Sequence, residues 1–225
     1  MNSIHYFDRI APRYDLLNKV LSLGLDVWWR KELVSDVIKN RPQKVLDVCS
    51  GTGDVALSIT TADPRVEVVA CDASVPMLER AKVKAKKRKQ ERITFVRADA
   101  LHLPFKNEEF DCVTMAFGLR NMPHYKDALS ELQRVIKKGG HVAILEFSYP
   151  TNPFFSFFYS LYLRYYLPLI GRVFVEKEAY TYLANSIQLF SHTIDVEKLL
   201  TEIGFSEVTT HTLSCGITKI YSGKK

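Results

Sequence analysis

The sequence predicts an α/β fold: a seven-stranded, mostly parallel sheet with an antiparallel C-terminal strand pair. Three observations carry this. From residue 44 onward, short apolar runs alternate with helical stretches in the rhythm of βαβ units. A glycine-rich turn, "GTGD", lies between the first apolar run and the first helix of that series. The C-terminal stretch "SEVTTHTLSCGITKIYSGK" switches to two strand-like runs joined by small residues. Together these define a Rossmann-like sheet in which a hairpin closes one edge.

Taken in order, "KVLDVCS" (44–50) reads as a strand and "DVALSITT" (54–61) as a helix, followed by strand "VEVVACD" (66–72) and helix "PMLERAKVKAKKRKQ" (76–90). "ITFVRAD" (93–99) and "FDCVTMAF" (110–117) are strands, "YKDALSELQRVIK" (125–137) a helix and "HVAILEF" (141–147) a strand. The tail runs are joined too tightly for a crossover helix, so they pair antiparallel. Two segments stand outside the alternation, a leader at 1–42 and a helical insertion at about 149–193. No internal repeat or low-complexity linker divides the chain, so residues 1–225 are expected to form a single domain carrying both decorations.

Composition narrows the classes. The chain has 225 residues, 47% of them hydrophobic, enough for a sizeable core. Its net charge of +6 owes much to "AKVKAKKRKQER" (81–92), which we read as the solvated face of a surface helix, because no aromatic residue is interleaved to stack nucleic-acid bases. Cys49, Cys71, Cys112 and Cys215 lie far apart with no CxxC pair, which points to free thiols in a reducing cytosol and to no metal site. The N-terminus "MNSIHYFDRIAPRYD" carries acids and no apolar stretch of signal-peptide length, so a cytoplasmic location is expected. In "PFFSFFYSLYLRYYLPLIGRVF" (153–174), eight of the thirteen residues from Phe154 to Tyr166 are aromatic, of 26 in the whole chain. Arg164 and Pro168 interrupt it well short of the ~20 apolar residues of a spanning helix. The readings left are a core helix, an apolar wall over a pocket, or a contact with a lipid surface.

The glycine turn carries the chemistry. Gly51 and Gly53 stand where backbone must approach a ligand, and with Ala56 they match the GxGxxG/A dinucleotide pattern, with Asp72 at the distance of a ribose-reading acid. Charge selects among nucleotide-like ligands. A pyrophosphate favours the positive end of a helix, yet Asp47 and Asp54 flank this one. S-adenosylmethionine has no phosphate and presents a cationic sulfonium and ammonium, which suits acids at both ends of the loop. Asp72 closes the second strand and is placed to accept the ribose hydroxyls, while Asp99 and the Ala100 amide follow the third strand, toward the adenine. Ligands of such sheets bind outside the carboxyl ends of the strands. The expected cofactor set is therefore Asp47, Gly51, Thr52, Gly53, Asp72, Asp99 and Ala100, with no metal.

Five longer stretches, "YDLLNKVLSLGLDVWW", "LDVCSGTGD", "LPFKNEEFDCVTMAFGLRN", "RVIKKGGHVAILEFS" and "LPLIGRVFVEKEAYTYLANSI", together resemble the class I S-adenosylmethionine-dependent methyltransferases. Within them the chain is similar to the ubiquinone/menaquinone biosynthesis C-methyltransferases, over nearly its whole length. Three positions depart from that pattern: Leu17 where methionine is usual, Asp26 where histidine is usual, and Lys138 where proline precedes Gly139 and Gly140. The resemblance implies methyl transfer to a ring carbon of a prenylated demethylmenaquinol, with the equivalent benzoquinol as the alternative and an RNA or small-molecule O-methyltransferase behind it. It implies a transient contact with the inner face of the membrane, is compatible with a homodimer and gives no role to nucleic acid.

In this architecture the chain order reverses between the first and fourth strands, so "FGLRN" faces the glycine loop. A quinol hydroxyl that ionises near pKa ~10 is rarely anionic at neutral pH. Arg120 is therefore expected to stabilise the oxyanion, Asn121 to orient the acceptor and Tyr14 to touch it, with Asp26 or His124 as proton acceptor. The competing reading pairs Arg120 with a structural carboxylate such as Asp15. Residues 153–174 and the leader are expected to form an apolar lid that accepts the prenyl tail.

Overall fold

The computed structural model describes residues 3–167 and 177–225. Among them the strands are β1 (Lys44–Val48), β2 (Glu67–Asp72), β3 (Ile93–Arg97), β4 (Phe110–Ala116), β5 (Ile136–Phe147), β6 (Ser206–Leu213) and β7 (Thr218–Lys224). They form one sheet in the order β3-β2-β1-β4-β5-β7-β6. The first five run parallel, while β7 is antiparallel to both of its neighbours, β5 and β6. The hairpin thus enters the sheet by its second strand and leaves β6 at the edge.

Because side chains alternate across a strand, buried strands feed two cores. On one face Leu46, Val113 and Ile144 pack with Leu129 and Leu132 of α6 (Tyr125–Val135) and Leu200 of α9 (Val196–Ile203). On the other, Val45, Val68 and Ala143 pack with Trp29 and Leu33 of α3 (Leu25–Lys39) and Leu57 and Ile59 of α4 (Asp54–Ala62). Helix α5 (Val75–Lys87) begins with Ser74, whose hydroxyl accepts the Met77 N–H at 3.3 Å, and Pro76 occupies the first turn. Lys82, Lys86 and Lys87 face solvent, whereas Arg80 is half-buried and Lys84 turns inward.

The strand boundary that differs most from the sequence reading is the start of β5. The helix expected over 125–137 ends at Val135, because Ile136, fully buried, pairs with Phe110 and starts β5 five residues early. The register shift between Phe110 and Cys112 absorbs the extra residues, with Gly139 at φ +75°. Gly140 lies where a Cβ would stand 2.7 Å from the Asp111 carbonyl oxygen, so the two strands approach too closely there for any side chain.

The leader is helical, comprising α1 (Ser3–Ile10), α2 (Tyr14–Leu21) and α3. The insertion contains α7 (Pro153–Leu161), a π-helical turn over Tyr162–Tyr166, and α8 (Lys177–Thr193); residues 168–174 of the expected lid lie outside the described residues. Leader and insertion share a small core, in which Tyr159, Leu163, Leu167 and Ile187 pack against Leu21 and Leu183. The Tyr162 hydroxyl donates to the Leu21 carbonyl and ties the π-helical turn to α2. No helix among the described residues is long and apolar enough to cross a membrane.

Candidate active site

The crevice opens at the carboxyl ends of β1 and β4, paired parallel with Asp47 opposite Thr114. Two residues that leave these strands, Cys49 (φ 56°) and Phe117 (φ 57°), hold left-handed backbone, a strain that tends to gather at functional sites. The strand ends also touch. A Cβ on Gly118 would stand 2.7 Å from the Cys49 Cβ, which explains the glycine of "FGLRN". Gly51 (φ 53°) and Gly53 (φ 80°) form the turn into α4. A Cβ on Gly53 would meet the Ala81 Cβ at 3.0 Å, so this glycine admits α5 beside α4, whereas Gly51 lines the cleft.

Around the loop the acids are sorted into spent and unspent. Lys84 is shared by Asp54, Asp15 (3.0 Å) and the Thr52 hydroxyl (3.1 Å), and Thr52 in turn donates to Asp15 at 2.5 Å. α5 thus delivers one lysine for two carboxylates, so the Asp54 charge is only partly compensated. Asp47 forms no ion pair among the described residues. Its Oδ1 accepts from the Thr114 hydroxyl at 2.8 Å, but its buried Oδ2 has no partner. Burial raises its pKa to about 7, against the lowering effect of Thr114. Asp72 accepts the Gly51 N–H at 2.8 Å and the Ser74 N–H at 2.9 Å, and Asp8 of α1 accepts the Ser74 hydroxyl at 2.5 Å. Burial raises the Asp72 pKa despite these amides. Next along the same edge, exposed Asp99 accepts the Leu101 N–H at 3.0 Å and Ala100 is buried; neither lines the loop cleft. The cleft itself is narrow, about 20 Å³, since Tyr14 of the leader lies over Gly51. An unpartnered buried carboxylate beside a glycine turn fits the cationic end of S-adenosylmethionine, while Asp72 holds the turn through the Gly51 amide and does not itself line the cleft.

A second, apolar cavity of about 430 Å³ adjoins it, enclosed by leader, insertion and strand ends. Tyr14 and Arg30 line both spaces. Burial raises the Tyr14 pKa above that of an ordinary phenol. Arg120 lines the apolar cavity, but its partner is Glu146 and not Asp15. Nη1 donates to Glu146 Oε1 at 2.8 Å and to the Phe117 carbonyl at 2.6 Å, and the Arg120 backbone N–H donates to Glu146 Oε2 at 3.0 Å. Glu146 is 0% exposed. The guanidinium lies over the Phe147 ring at 5.0 Å, and its buried Nε has no partner. Asn121 sits outside the cavity lining. It donates to the Phe117 carbonyl at 3.2 Å and accepts from the Tyr182 hydroxyl at 2.9 Å, so it braces the turn that carries Arg120.

Asp26 is buried, with its oxygens accepting from Ser22 (2.8 Å) and from Arg30, and it is the only acid among the described residues that line the apolar cavity. His124 is exposed at the start of α6 and does not line the cavity. Sequence reasoning missed Glu146, Lys84 and Arg30. Glu146 had a visible signal: a lone acid inside the apolar run "VAILEF" needs a buried partner.

Residues 2–225 match the ubiE/COQ5 methyltransferase family. The chain belongs to that family. It is 43% identical over 217 residues to the ubiquinone/menaquinone biosynthesis C-methyltransferase UbiE of Syntrophotalea carbinolica, covering 96% of this chain and 91% of that one. It is 40% identical over 220 residues to the demethylmenaquinone methyltransferase of Thermus thermophilus, covering 97% and 99%. Its fold is shared with a solved S-adenosylmethionine-dependent methyltransferase of Thermotoga maritima, with TM-score 0.64, 21% identity and coverage of 98% and 99%. The glycine-loop cleft and the adjoining apolar cavity meet at Tyr14 and Arg30.

Proposed function

We propose that this enzyme methylates a ring carbon of a prenylated demethylmenaquinol, giving menaquinol, with S-adenosylmethionine as methyl donor. The observation that carries the reading is Arg120: a guanidinium clamped by buried Glu146 and presented to an apolar cavity that meets the glycine-loop cleft at Tyr14 and Arg30. The aromatic walls Phe117, Phe147 and Trp29 suit a flat bicyclic ring.

S-adenosylmethionine supplies an electrophilic methyl group; the chain supplies the rest. Asp47 and Asp72 hold the donor's cation and ribose. Arg120 favours the phenolate form of the quinol, which makes the adjacent ring carbon nucleophilic; a fixed donor of this kind contributes roughly 3 kcal/mol to a transition state. Asn121 acts as a positioning residue through Phe117. Asp26 receives the ring proton when aromaticity returns. The surrounding apolar side chains exclude water, which strengthens the pairing of guanidinium and oxyanion.

The cavity mouth supports the expected membrane contact. Leu23 (68% exposed) and Phe158 (53% exposed) both line the cavity and reach solvent, next to exposed Phe154 and Phe157. Such a rim lets a prenyl tail pass from a bilayer surface into the cavity, so the enzyme works at the inner membrane face without spanning it. The substrate test compares kcat/KM for short-chain demethylmenaquinol and the corresponding benzoquinol with purified protein. We expect the naphthoquinol to be preferred. Preference for the benzoquinol would move the enzyme to ubiquinone biosynthesis, and transfer to RNA alone would refute both.

A further inference from the structure

Arg30 presents an excess of donors to the methyl-donor cleft. It sits in α3, 8% exposed, and one of its terminal nitrogens donates to Asp26, one turn earlier on the same helix. A guanidinium has five N–H donors in a rigid fork, and one ion pair uses a fraction of them. Arg30 makes no other hydrogen bond among the described residues, while its guanidinium carbon lies 5.8 Å from the Phe117 ring centroid, at the seam between the two cavities.

The cleft leaves little choice of cation. Of the described residues that line it, only Arg30 is basic, and they include the acids Asp47 and Asp54. Nearby Lys84 has its three donors engaged by Asp15, Thr52 and Asp54. A zwitterionic amino-acid end placed here meets one unpartnered carboxylate oxygen, on Asp47, and one cation with donors to spare. We propose that Arg30 holds the α-carboxylate of S-adenosylmethionine, opposite the ammonium held by Asp47, and thereby selects an intact amino-acid end in the methyl donor. The inference rests on the loop cleft being the donor site. Asp26 then has a second task, since it fixes the fork through its ion pair; its place on the preceding turn of α3 suits that role.

The test changes ligand and protein together. Binding of S-adenosylmethionine and of decarboxylated S-adenosylmethionine is measured by calorimetry on the wild type, Arg30→Gln, Arg30→Lys and the double variant Asp26→Asn/Arg30→Gln, whose neutral pair leaves no lone buried charge. The wild type should prefer the carboxylated ligand by about a hundredfold, in the range of hydrogen bonds to a charged group. Arg30→Gln and the double variant should reduce that preference to less than about threefold, mostly by weakening the carboxylated ligand, and Arg30→Lys should retain an intermediate preference. Equal binding of both ligands by the wild type overturns the proposal. So does an undiminished preference in either folded Gln variant, and a raised quinol KM beside it would place Arg30 on the acceptor instead. If the wild type binds neither ligand, the donor-site assignment itself fails, which is distinct from loss of the carboxylate contact alone.

Discussion

At Asp47, two needs conflict. The free carboxylate is buried with one oxygen unpartnered, and its pKa stands at about 7 in the folded chain against 3.8 for the ordinary group. Between about pH 4 and pH 7 the folded state therefore keeps a proton that the unfolded state has released. Ligand-free stability should decline as pH rises through that window. Asp47→Asn should raise Tm above pH 7 and have little effect below pH 4, while weakening S-adenosylmethionine. Wild-type affinity for that ligand should fall about tenfold per pH unit below 7, and the variant should lose this dependence. A variant that is less stable at pH 8, or that keeps the pH profile, would contradict this. Arg120 gives a second prediction. Arg120→Ala strands Glu146 as an unpaired buried charge and should cost about 3–5 kcal/mol of stability, so its loss of activity is ambiguous. Arg120→Lys keeps the charge but loses the fork; kcat should drop about a hundredfold with cofactor affinity unchanged by calorimetry. Near-normal turnover would make the guanidinium structural. The importance of Arg120 was legible because a charged residue after a buried strand needs a partner. Glu146 as that partner was not, since pairing across 26 residues depends on the neighbouring positions of β4 and β5.

Helix α7 shows what an element adds. Its composition suggests a lid rather than a core helix, and exposure favours the same reading: of its residues only Tyr159 is buried, whereas Phe154, Phe155, Phe157 and Phe158 all reach solvent. Phe155 and Phe158 also line the apolar cavity. Replacing both with serine should raise KM for long-tail quinols far more than for short-tail ones and reduce flotation with anionic vesicles. Tm should barely change, as for other surface substitutions. Equal loss on both substrates with a lowered Tm would restore the core reading. The alternating strands and helices were readable because period-2 and period-3.6 patterns persist over whole elements. The start of β5 was not, since Ile136 could equally bury itself as the last turn of a helix and only its pairing with Phe110 decides. Likewise, both glycines of the turn read alike in sequence, but Gly53 answers to the packing of α5 against α4.

Across the whole molecule, the sheet supplies the crevice and the two decorations convert it into an enclosed site. The leader contributes Asp8, Tyr14, Asp15, Asp26 and Arg30, so the loop cleft and the apolar cavity close under one segment. Because Tyr14 lies over Gly51 in a loop cleft of about 20 Å³, the leader is expected to shift to admit a cofactor and settle again on it. Amide hydrogen exchange in α1 and α2 should slow markedly when S-adenosylmethionine binds, with β1 and β4 unaffected; unchanged exchange in the leader would refute this. Joining two spaces at Tyr14 and Arg30 makes sense only if a methyl group crosses from one to the other. The most direct test is therefore to incubate the purified enzyme with S-adenosylmethionine carrying a trideuterated methyl group and short-chain demethylmenaquinol, and to locate the label in the product by tandem mass spectrometry. The intact trideuterated methyl is expected on the ring carbon beside a quinol hydroxyl; label on a quinol oxygen, or no transfer, would contradict C-methylation at this site.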